Sequence, residues 1–481
     1  MKKKLFSLLL ACLLLLTGGC RKEAGHPDLI CGMRFRQADG ARLVKGDPAP
    51  RVHVFGFPAS FMLDNLESGR AVSCSFDMFG PQVAPERIFT RYGRPDERRL
   101  KVTATAANEV HINYPLASKS YGIVSIEKRL SVPDDSRHLL YNGLTFDIEG
   151  GIFLRSKGPA ALLRSLGPTT VAHVSNRTKR TLRVDVVVDN VSNRLSHYGV
   201  SGKGGPGKIT IKPEGQLRVR FSGTLVAGEQ IWIKVAPHEL RYPYSFVFGG
   251  DVKENIPTFL ALLDRVSKRA DPLFMLAVGD YTRNSLPAEL DDFFEASGQI
   301  ACPVYYVKGN HETRCQGDVH FRRLFGSERF FLVVDRMLFV VLDSTLRDGT
   351  GYRLGDEQLA WLDQVLTAQQ AVPWKFVLLH TPPSPLHGDT LQPEHNSNLS
   401  ESDAKVLRAQ VSRHRVSYVL SGHAHIYARS VQQGVVYLTS GGGGAKLYTY
   451  SPVAGFDIDT RPHLMLFTVY ADGIEEEAIR L

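Results

Sequence analysis

The pattern of apolar and polar positions changes close to residue 240. Between about residues 31 and 238, apolar and polar residues alternate in short runs such as TLRVDVVVDN (181–190), separated by glycine, proline or asparagine. Alternation with a period of two, at intervals of about 8–12 residues, is typical of an antiparallel β-sandwich. The pattern therefore predicts a β-rich region over 20–165, whose fold the pattern does not determine, and a sandwich-like region over 166–240. Within this part of the chain, SKGPAALLRSLGP (156–168) suggests a short helix.

Beyond residue 240 the apolar residues form continuous runs that alternate with helix-like stretches. Continuous apolar strands are typical of sheets that helices cover. Ser400 and Asp403 have the spacing of a capping box at the start of the last helix candidate. Residues 241–481 therefore predict an α/β layered domain. Its strand candidates are 245–250, 273–279, 304–309, 338–343, 375–380, 417–422 and 435–441, and its helix candidates are 256–270, 286–297, 354–370 and 400–414.

Residues 1–19 differ from both regions. Lys2–Lys4 precede an apolar run, Leu5–Leu16, and the sequence TGGC then ends at Cys20. A basic start, a short apolar core and small residues are typical of a secretory signal, since a membrane span needs about 20 apolar residues. The stretch resembles a bacterial lipobox, with Thr17 where the usual pattern has leucine. The resemblance implies an exported protein that is anchored to a membrane of the bacterial cell envelope by lipidated Cys20; the alternative is an ordinary signal peptide.

Composition adds modest constraints. A length of 481 residues and a hydrophobic content of 43% predict two or three globular domains. The net charge of +9 falls to +6 without the three lysines of the signal peptide. This excess of positive charge is small for the length of the chain. It therefore predicts no specific nucleic-acid partner unless the basic residues cluster on one face.

Four cysteines follow Cys20. Outside the cytoplasm an even number permits disulfides, and four cysteines allow three connectivities. Keeping each bridge within one half of the chain predicts the pairs Cys31–Cys74 and Cys302–Cys315. The chain has no CxxC pair, which argues against a cysteine zinc site.

Residues of metal-ligand type follow five of the strand candidates. Open α/β sheets place their sites at the carboxyl ends of strands. Each position alone has an ordinary explanation, because aspartate after a strand commonly forms a turn and a lone histidine is commonly structural. The ordered set is hard to produce by chance. It comprises Asp251 in GGDVKEN, Asp280 in VGDYTRN, Asn310, His311 and Glu312 in GNHE, His380 in LLHTPP, and His423 and His425 in SGHAHIY.

The order D, GD, GNHE, H, GHxH resembles the calcineurin-like metallophosphoesterases over about residues 241–481. The resemblance implies a four-layer αββα sandwich and the hydrolysis of phosphate monoesters or diesters by a metal-bound hydroxide. Two divalent ions (Mn, Zn or Fe) about 3.5–4 Å apart would lower the pKa of a bound water toward about 7 and bind the phosphoryl oxygens. Carboxylates bridge two such ions, and imidazole and carboxamide groups complete their coordination.

Carried over position by position, the resemblance also assigns roles. His311 stays off the metals and donates a proton to the leaving oxygen or holds a phosphate oxygen, with Glu312 as its supporting partner. The predicted ligands are Asp280 as the bridge, Asn310, His380 and His423 at one site, and Asp251 and His425 at the other.

Lys253 departs from the family, whose first motif is Asp-x-His. The departure leaves Asp251, Asp280 and His425 at one site, and three ligands with a water suffice for a catalytic zinc; Glu254 or a second water could complete the set. Three interpretations of Lys253 stay open. It binds the substrate phosphate, it points to solvent, or it replaces the charge of one metal and gives a mononuclear enzyme or a catalytically silent surface-binding lipoprotein.

Arg283 stands three residues after Asp280, where purple acid phosphatases have a metal-binding tyrosine, so no tyrosinate-to-iron colour is expected. We predict that Arg283, like Lys253, contacts the substrate.

Two further segments have open interpretations. The run TSGGGGAKLY (439–448) either brings backbone near the metals or forms only a packed turn, and the Pro-rich stretch 380–398 either shapes the substrate pocket or is a surface loop.

In the leading hypothesis the N-terminal β-rich region positions the enzyme or binds a glycan or protein partner. In another hypothesis this region is itself the working part, a carbohydrate-binding or cell-surface adhesion module. The substrate itself stays open between a monoester, a diester and a nucleotide, because loops around a common metal centre set specificity.

Overall fold

The chain divides into two compact units, one formed by residues 1–131 with 284–286 and 313–319, and the other by the remainder. Before residue 137 only the backbone of nine strands is described, so the signal peptide, Cys20 and the predicted Cys31–Cys74 bridge lie outside the described residues. The computed structural model describes residues 137–481 except 155–159, 203–207, 254, 284, 286, 314–316, 348–351 and 384–397.

The first unit is rich in β-strands, as its sequence predicts. Its strands form a five-stranded sheet in the order β1-β2-β5-β8-β7 and a four-stranded sheet in the order β3-β4-β9-β6. The strands are β1 Leu29–Ile30, β2 Met33–Ala38, β3 Arg51–Gly56, β4 Ser60–Asp64, β5 Ala71–Met78, β6 Arg87–Tyr92, β7 Lys101–Ala104, β8 Glu109–Pro115 and β9 Gly122–Glu127.

The second unit begins with a β-sandwich. Its two sheets have the orders β10-β11-β14-β19-β16 and β12-β13-β15-β18-β17, and their inner faces enclose an apolar core that includes Phe146, Val186 and Phe221. The strands are β10 His138–Tyr141, β11 Leu144–Glu149, β12 Gly151–Leu154, β13 Ala161–Ser165, β14 Thr170–Asn176, β15 Leu182–Asp189, β16 Ser196–Ser201, β17 Ile209–Pro213, β18 Arg218–Leu225 and β19 Gln230–Pro237.

Two expectations for this region were wrong. The sandwich starts at His138, so the predicted boundary at residue 166 is too late. The segment taken for a short helix contains the strand Ala161–Ser165, in which Ala161 and Leu163 point into the core while the intervening residue is only partly buried. A short apolar run fits a helix or a strand equally well, and pairing with a neighbouring strand decides between them.

The rest of the second unit contains two larger sheets and a small hairpin, β25-β26. The sheet orders are β22-β21-β20-β32-β33 and β23-β24-β27-β28-β30-β29-β31. The strands are β20 Tyr244–Gly249, β21 Met275–Ala277, β22 Val304–Tyr306, β23 Phe330–Val334, β24 Met337–Val341, β25 Leu346–Arg347, β26 Tyr352–Arg353, β27 Trp374–Leu378, β28 Tyr418–Ser421, β29 Tyr427–Gln432, β30 Val435–Ser440, β31 Asp457–Asp459, β32 His463–Val469 and β33 Ile474–Arg480.

Helices cover the outer faces of these two sheets. The apolar faces of α1 and α2 pack on the five-stranded sheet, and those of α4 and α5 pack on the seven-stranded sheet. The predicted four-layer αββα arrangement is therefore confirmed. The α-helices are α1 Ile256–Arg269, α2 Pro287–Ser297, α3 Gly317–Phe325, α4 Asp356–Ala368 and α5 Glu401–Arg413, with 3₁₀ turns at Gly298–Ile300 and His311–Thr313.

Aromatic side chains fill the space between the two sheets. Phe246 of β20 stacks on Phe467 of β32 at a centroid distance of 4.7 Å and meets Phe339 of β24 edge-on at 5.6 Å. Val247, the next residue of β20, points to the helix-covered face instead. Because both faces of the strand are buried, its sequence is apolar without alternation.

The helix starts follow the expected chemistry in part. Ser400 caps α5 by accepting the Asp403 N–H at 3.4 Å, as the capping-box spacing predicts. The Asp403 carboxylate does not complete the box. It accepts the N–H groups of Leu354 and Gly355 and pairs with Arg353, so it secures the start of α4.

The sandwich contacts the layered domain through directed polar bonds. The Asn190 side chain donates to the Val304 carbonyl at 2.9 Å and accepts the Val304 N–H at 2.8 Å. Nearby Cys302 is a free, buried thiol, so the predicted Cys302–Cys315 bridge is wrong. Cys302 belongs to the apolar core beneath the helices, and burial raises its pKa. Among the described helices, none has the length and apolar character needed to cross a bilayer.

Candidate metal centre

The predicted ligands come together because parallel strands of both sheets end at one edge. Asp251 lies two residues after β20 and Asp280 three residues after β21, and these strands are parallel neighbours. In the other sheet, His380 and His423 each lie two residues after the parallel neighbours β27 and β28. The predicted strand-end placement is therefore confirmed for these four residues.

Asp280, Asn310, His380 and His423 form a cluster that we call the Asn310 group. The His380 Nε2 atom lies 3.2 Å from Asp280 Oδ1, 3.1 Å from Asn310 Oδ1 and 3.2 Å from His423 Nδ1. One carboxylate, one carboxamide and two imidazoles thus converge, with Asp280 and His380 fully buried. This donor set suits a borderline divalent cation such as Zn²⁺, Fe²⁺ or Mn²⁺.

The backbone orients His380 toward this cluster. Its Nδ1–H donates to the Val278 carbonyl at 2.7 Å, so Nε2 faces the other donors. Burial lowers the pKa of His380, but the Asp280 carboxylate outweighs burial and raises it to about 9. At His423, burial and the neighbouring His380 charge hold the pKa well below its usual range. A divalent cation would replace the proton that His380 carries.

Asp251, Asp280 and His425, together with Lys253, form a second cluster, the Lys253 group. The His425 Nε2 atom lies 3.4 Å from Asp251 Oδ1, and its Nδ1–H donates to the Lys446 carbonyl at 2.7 Å. The Lys253 Nζ atom lies 2.9 Å from His425 Nε2 and 3.2 Å from Asp280 Oδ2. The lysine therefore points into the site rather than to solvent.

The two groups overlap at Asp280. Within each of the sets Asp280–His380–His423 and Asp251–Asp280–His425, the ligand atoms lie within 4.8 Å of one another. In the described part of the chain, two buried oxygens of these carboxylates, Asp251 Oδ1 and Asp280 Oδ2, receive no well-directed hydrogen bond. Buried carboxylate oxygens without donors are expected where a cation binds. Burial would raise the pKa of Asp280, yet the His311, His380 and Lys253 charges hold it well below its usual range.

Four site residues adopt a backbone conformation that side chains disfavour. The φ angles are 59° at Asp251, 50° at Lys253, 54° at Asp280 and 64° at His423. Such left-handed residues cost on the order of 1–3 kcal/mol each and persist where the surroundings fix them, commonly at functional sites. Here the Asp251 N–H donates to the Gly279 carbonyl and the Lys253 N–H to the Asp280 carbonyl.

Glycines let these loops approach one another. A Cβ at Gly309 would collide with the backbone nitrogen of Asp280, and one at Gly443 would collide with the Gly250 carbonyl. The run at 441–444 therefore packs directly on the Asp251 loop. Of the two interpretations left open for this run, the structure favours the one that brings backbone next to the site.

His311 stands beside the shared carboxylate. Its Nδ1–H donates to the Arg283 carbonyl at 2.6 Å, and its Nε2 lies 3.6 Å from Asp280 Oδ2. It is not a member of either candidate ligand set. The contact from Arg283 is through its backbone, so a substrate contact by its side chain stays a prediction.

Glu312 has a different role from the catalytic one predicted for it. Its buried carboxylate accepts the N–H groups of Asp280 at 2.7 Å, Tyr281 at 3.0 Å and Gly309 at 2.9 Å. Burial and the nearby Asp280 charge raise its pKa to about 7. Glu312 therefore positions the two ligand loops, and its partnership with His311 stays a prediction.

Aromatic residues that the sequence did not single out support the histidines. Tyr448 stacks on His425 at 4.4 Å, and Tyr352 meets His423 edge-on at 5.0 Å. Tyr448 lies in the segment 439–448, which was the only signal for it. Most of the Pro-rich stretch after His380, residues 384–397, lies outside the described residues, so its role in a substrate pocket stays a prediction.

Two layered sheets with overlapping carboxylate and imidazole groups at their common edge define the class, a metallophosphoesterase domain. Residues 244–427 match the family model described as Calcineurin-like phosphoesterase. This region is a calcineurin-like phosphoesterase domain, and the protein is a phosphoesterase.

Known proteins show similarity over different parts of the chain. A 3',5'-cyclic-nucleotide phosphodiesterase of Nostoc sp. is 26% identical over 220 residues, which are 45% of this chain and 79% of that protein. The purple acid phosphatase of yellow lupin (Lupinus luteus) seeds has a TM-score of 0.43 at 12% identity, covering 93% of this chain and 94% of its own. The GAP50 anchor of the inner membrane complex of Plasmodium has a TM-score of 0.40 at 12% identity, covering 50% and 85%.

Proposed function

We propose that the chain hydrolyses phosphate esters with a divalent metal ion bound at the Asn310 group. The observation that supports this is the approach of the His380, Asn310 and His423 donor atoms to Asp280 in a buried setting. A divalent ion bound there would activate a water and neutralise charge on the phosphoryl group. The phosphoesterase family of this region supports the same chemistry.

His311 is the proposed proton donor to the leaving oxygen. The Arg283 carbonyl accepts the Nδ1–H, so in this proposal Nε2 is the nitrogen that carries the transferred proton. This nitrogen lies 3.6 Å from Asp280 Oδ2. As the bond between phosphorus and the leaving oxygen breaks, the proton passes from Nε2 to that oxygen and neutralises the charge it acquires.

The test is hydrolysis of p-nitrophenyl phosphate, bis(p-nitrophenyl) phosphate and 3',5'-cyclic AMP by the full chain after chelation and readdition of Mn²⁺, Zn²⁺ or Fe²⁺. Cyclic AMP is included because the Nostoc relative is a cyclic-nucleotide phosphodiesterase. We expect metal to restore turnover in the native chain and in Asn193→Ala, an exposed sandwich position. Asn310→Ala should show much weaker restoration. Failure of every metal to restore turnover on all three substrates would contradict the proposal.

A catalytically silent binding protein is the second candidate. The observation that favours it is the Lys253 ammonium among the ligand atoms. Under this alternative the chain would retain phosphate-ester affinity without turnover, which equilibrium binding of a non-hydrolysable phosphonate would reveal. Turnover of any of the three substrates would exclude it.

Export as a lipoprotein is also a proposal. It is supported by the basic start, the apolar run Leu5–Leu16 and the TGGC sequence that ends at Cys20. Metabolic labelling with a radioactive fatty acid in a bacterial host should modify the native chain, and Cys20→Ser should remove the label.

A glycan array probed with the full chain tests whether the N-terminal β-rich region binds a glycan partner. The absence of any bound glycan would argue against that role.

A further inference from the structure

We propose that the Lys253 ammonium is a built-in cation that takes the place of a second metal ion, so that the chain binds a single divalent ion at the Asn310 group. The inference rests on the proposed function for the occupancy of that group. It adds that the Lys253 group is closed to metal by a side chain of the protein itself.

Lys253 engages the Nε2 lone pair of His425. A carbonyl can only accept, so the 2.7 Å contact with the Lys446 carbonyl fixes the proton of His425 on Nδ1. Its Nε2 then has a single lone pair, which the Lys253 ammonium engages at 2.9 Å. The same lone pair cannot bind a metal ion at the same time. The contact therefore removes one of the three ligands of this site.

Lys253 also contacts the carboxylate of Asp280, which the two groups share. Lys253 Nζ lies 3.2 Å from Asp280 Oδ2, the oxygen that turns away from the His380 contact. A second ion held by Asp251, Asp280 and His425 would need an oxygen of Asp280. The ammonium thus contacts one atom of each of two residues that would hold a second ion, Asp280 and His425, and it brings a positive charge beside the Asp280 carboxylate.

Lys253 is also held in place. Its side chain is only 12% exposed, and its backbone N–H donates to the Asp280 carbonyl at 3.1 Å with φ at 50°. The preceding residue, Val252, is buried. Because the ammonium is tethered, it occupies the site without the association cost that a free ion has to overcome.

The Lys253 ammonium also has an N–H donor that can bind the substrate. An ammonium has three N–H donors, and the contact with His425 Nε2 uses one of them, whereas Asp280 Oδ2 is paired by charge at 3.2 Å without a well-directed hydrogen bond. A remaining N–H can donate to a phosphoryl oxygen of the substrate. Lys253 would then supply part of the charge that a second ion supplies elsewhere, in a form that chelators cannot remove.

The test is metal stoichiometry. The full chain, its Lys253→His variant and its Lys253→Met variant are stripped of metal, saturated with Mn²⁺, desalted and analysed by mass spectrometry for bound ions. Electron paramagnetic resonance then separates isolated Mn²⁺, with its six-line signal, from a coupled pair. Circular dichroism confirms that each variant is folded, and Lys268→Met, an exposed position on α1, is the matched control.

We expect one isolated Mn²⁺ in the native chain and the control, two coupled ions in Lys253→His, and a second, weaker ion in Lys253→Met. Two coupled ions in the native chain, no bound ion, or one ion in every variant would each overturn the inference. The proposed function fails separately. A native chain with one ion and no hydrolysis would remove the function and leave the inference standing, whereas two ions with hydrolysis would do the opposite.

Discussion

The Asn310 group and the Lys253 group share Asp280 and lie at the same edge of the two sheets, yet they differ in what faces their donor atoms. In the Asn310 group, His380 donates its Nδ1–H to the Val278 carbonyl, and its Nε2 faces other candidate metal ligands. In the Lys253 group, His425 is held in the same way by the Lys446 carbonyl, but its Nε2 faces an ammonium.

The comparison teaches that ligand residues alone do not define a metal site. Both groups contain the residue types that a divalent ion requires. One position, residue 253, separates them. What lies between the candidate ligands therefore decides the outcome. A group binds an ion if the space is open, and its carboxylate charge is already neutralised if a lysine lies there.

The largest expected effect belongs to the residue that both groups share. Asp280→Asn removes the charge that balances the cations, and we expect turnover of bis(p-nitrophenyl) phosphate to fall by about 10³-fold or more. Initial rates at saturating Mn²⁺ measure it. Asp264→Asn, at an exposed position of α1, is the control and should leave the rate unchanged. An Asp280→Asn rate within a factor of ten of the native rate would contradict a metal centre built on this carboxylate.

His311→Asn should slow hydrolysis of esters with poor leaving groups by about 10²-fold, because a proton donor matters most when the leaving oxygen is basic. The effect on p-nitrophenyl esters should be much smaller. A series of aryl and alkyl phosphates measures the difference, with metal content checked in parallel. An equal loss on all leaving groups, or loss of the metal, would show that His311 acts in another way.

A matched histidine pair compares the two groups directly. His423→Gln removes a donor of the Asn310 group, and we expect Mn²⁺ affinity to fall by at least about 10-fold. His425→Gln, two residues away, removes a donor only from the Lys253 group and should change the affinity by less than a factor of three. Competition with a fluorescent chelator measures both. A larger loss for His425→Gln than for His423→Gln would reverse the assignment of the bound ion.

The smallest effect is expected from the aromatic support of the Lys253 group. Tyr448→Leu removes the stacking on His425, and we expect the free energy of unfolding to decrease by about 1 kcal/mol. Urea denaturation measures it, with Tyr470→Leu as a more exposed control. Mn²⁺ stoichiometry should stay at one, since His425 does not bind the ion. Loss of the ion in Tyr448→Leu would connect the stacking to metal binding and count against the account.

Much of the layered fold could be predicted from the sequence, and the physical reason is burial. Strands such as β20 are covered on both faces, so Phe246, Val247 and Phe248 read as one apolar run. The strand Ala161–Ser165 was mistaken for a helix because five residues contain too little periodicity to separate the two. The interior strand β32 and the helix α3 are among the elements that were not predicted.

The convergence of the candidate ligands could also be predicted, since strand ends collect at one edge of a sheet. The roles of Glu312 and Lys253 could not. Glu312 acts through backbone amides that fold back around it. Lys253 acts through His425, which is 172 residues away along the chain, so only the folded geometry brings the ammonium to that nitrogen.

The most direct test of the central claim, that the Asn310 group binds an ion and the Lys253 group does not, is an anomalous difference map from a crystal of the full chain soaked in Mn²⁺. We expect one peak, surrounded by Asp280, Asn310, His380 and His423, with Lys253 Nζ still in contact with His425 Nε2. A second peak between Asp251 and His425, with Lys253 displaced, would contradict it.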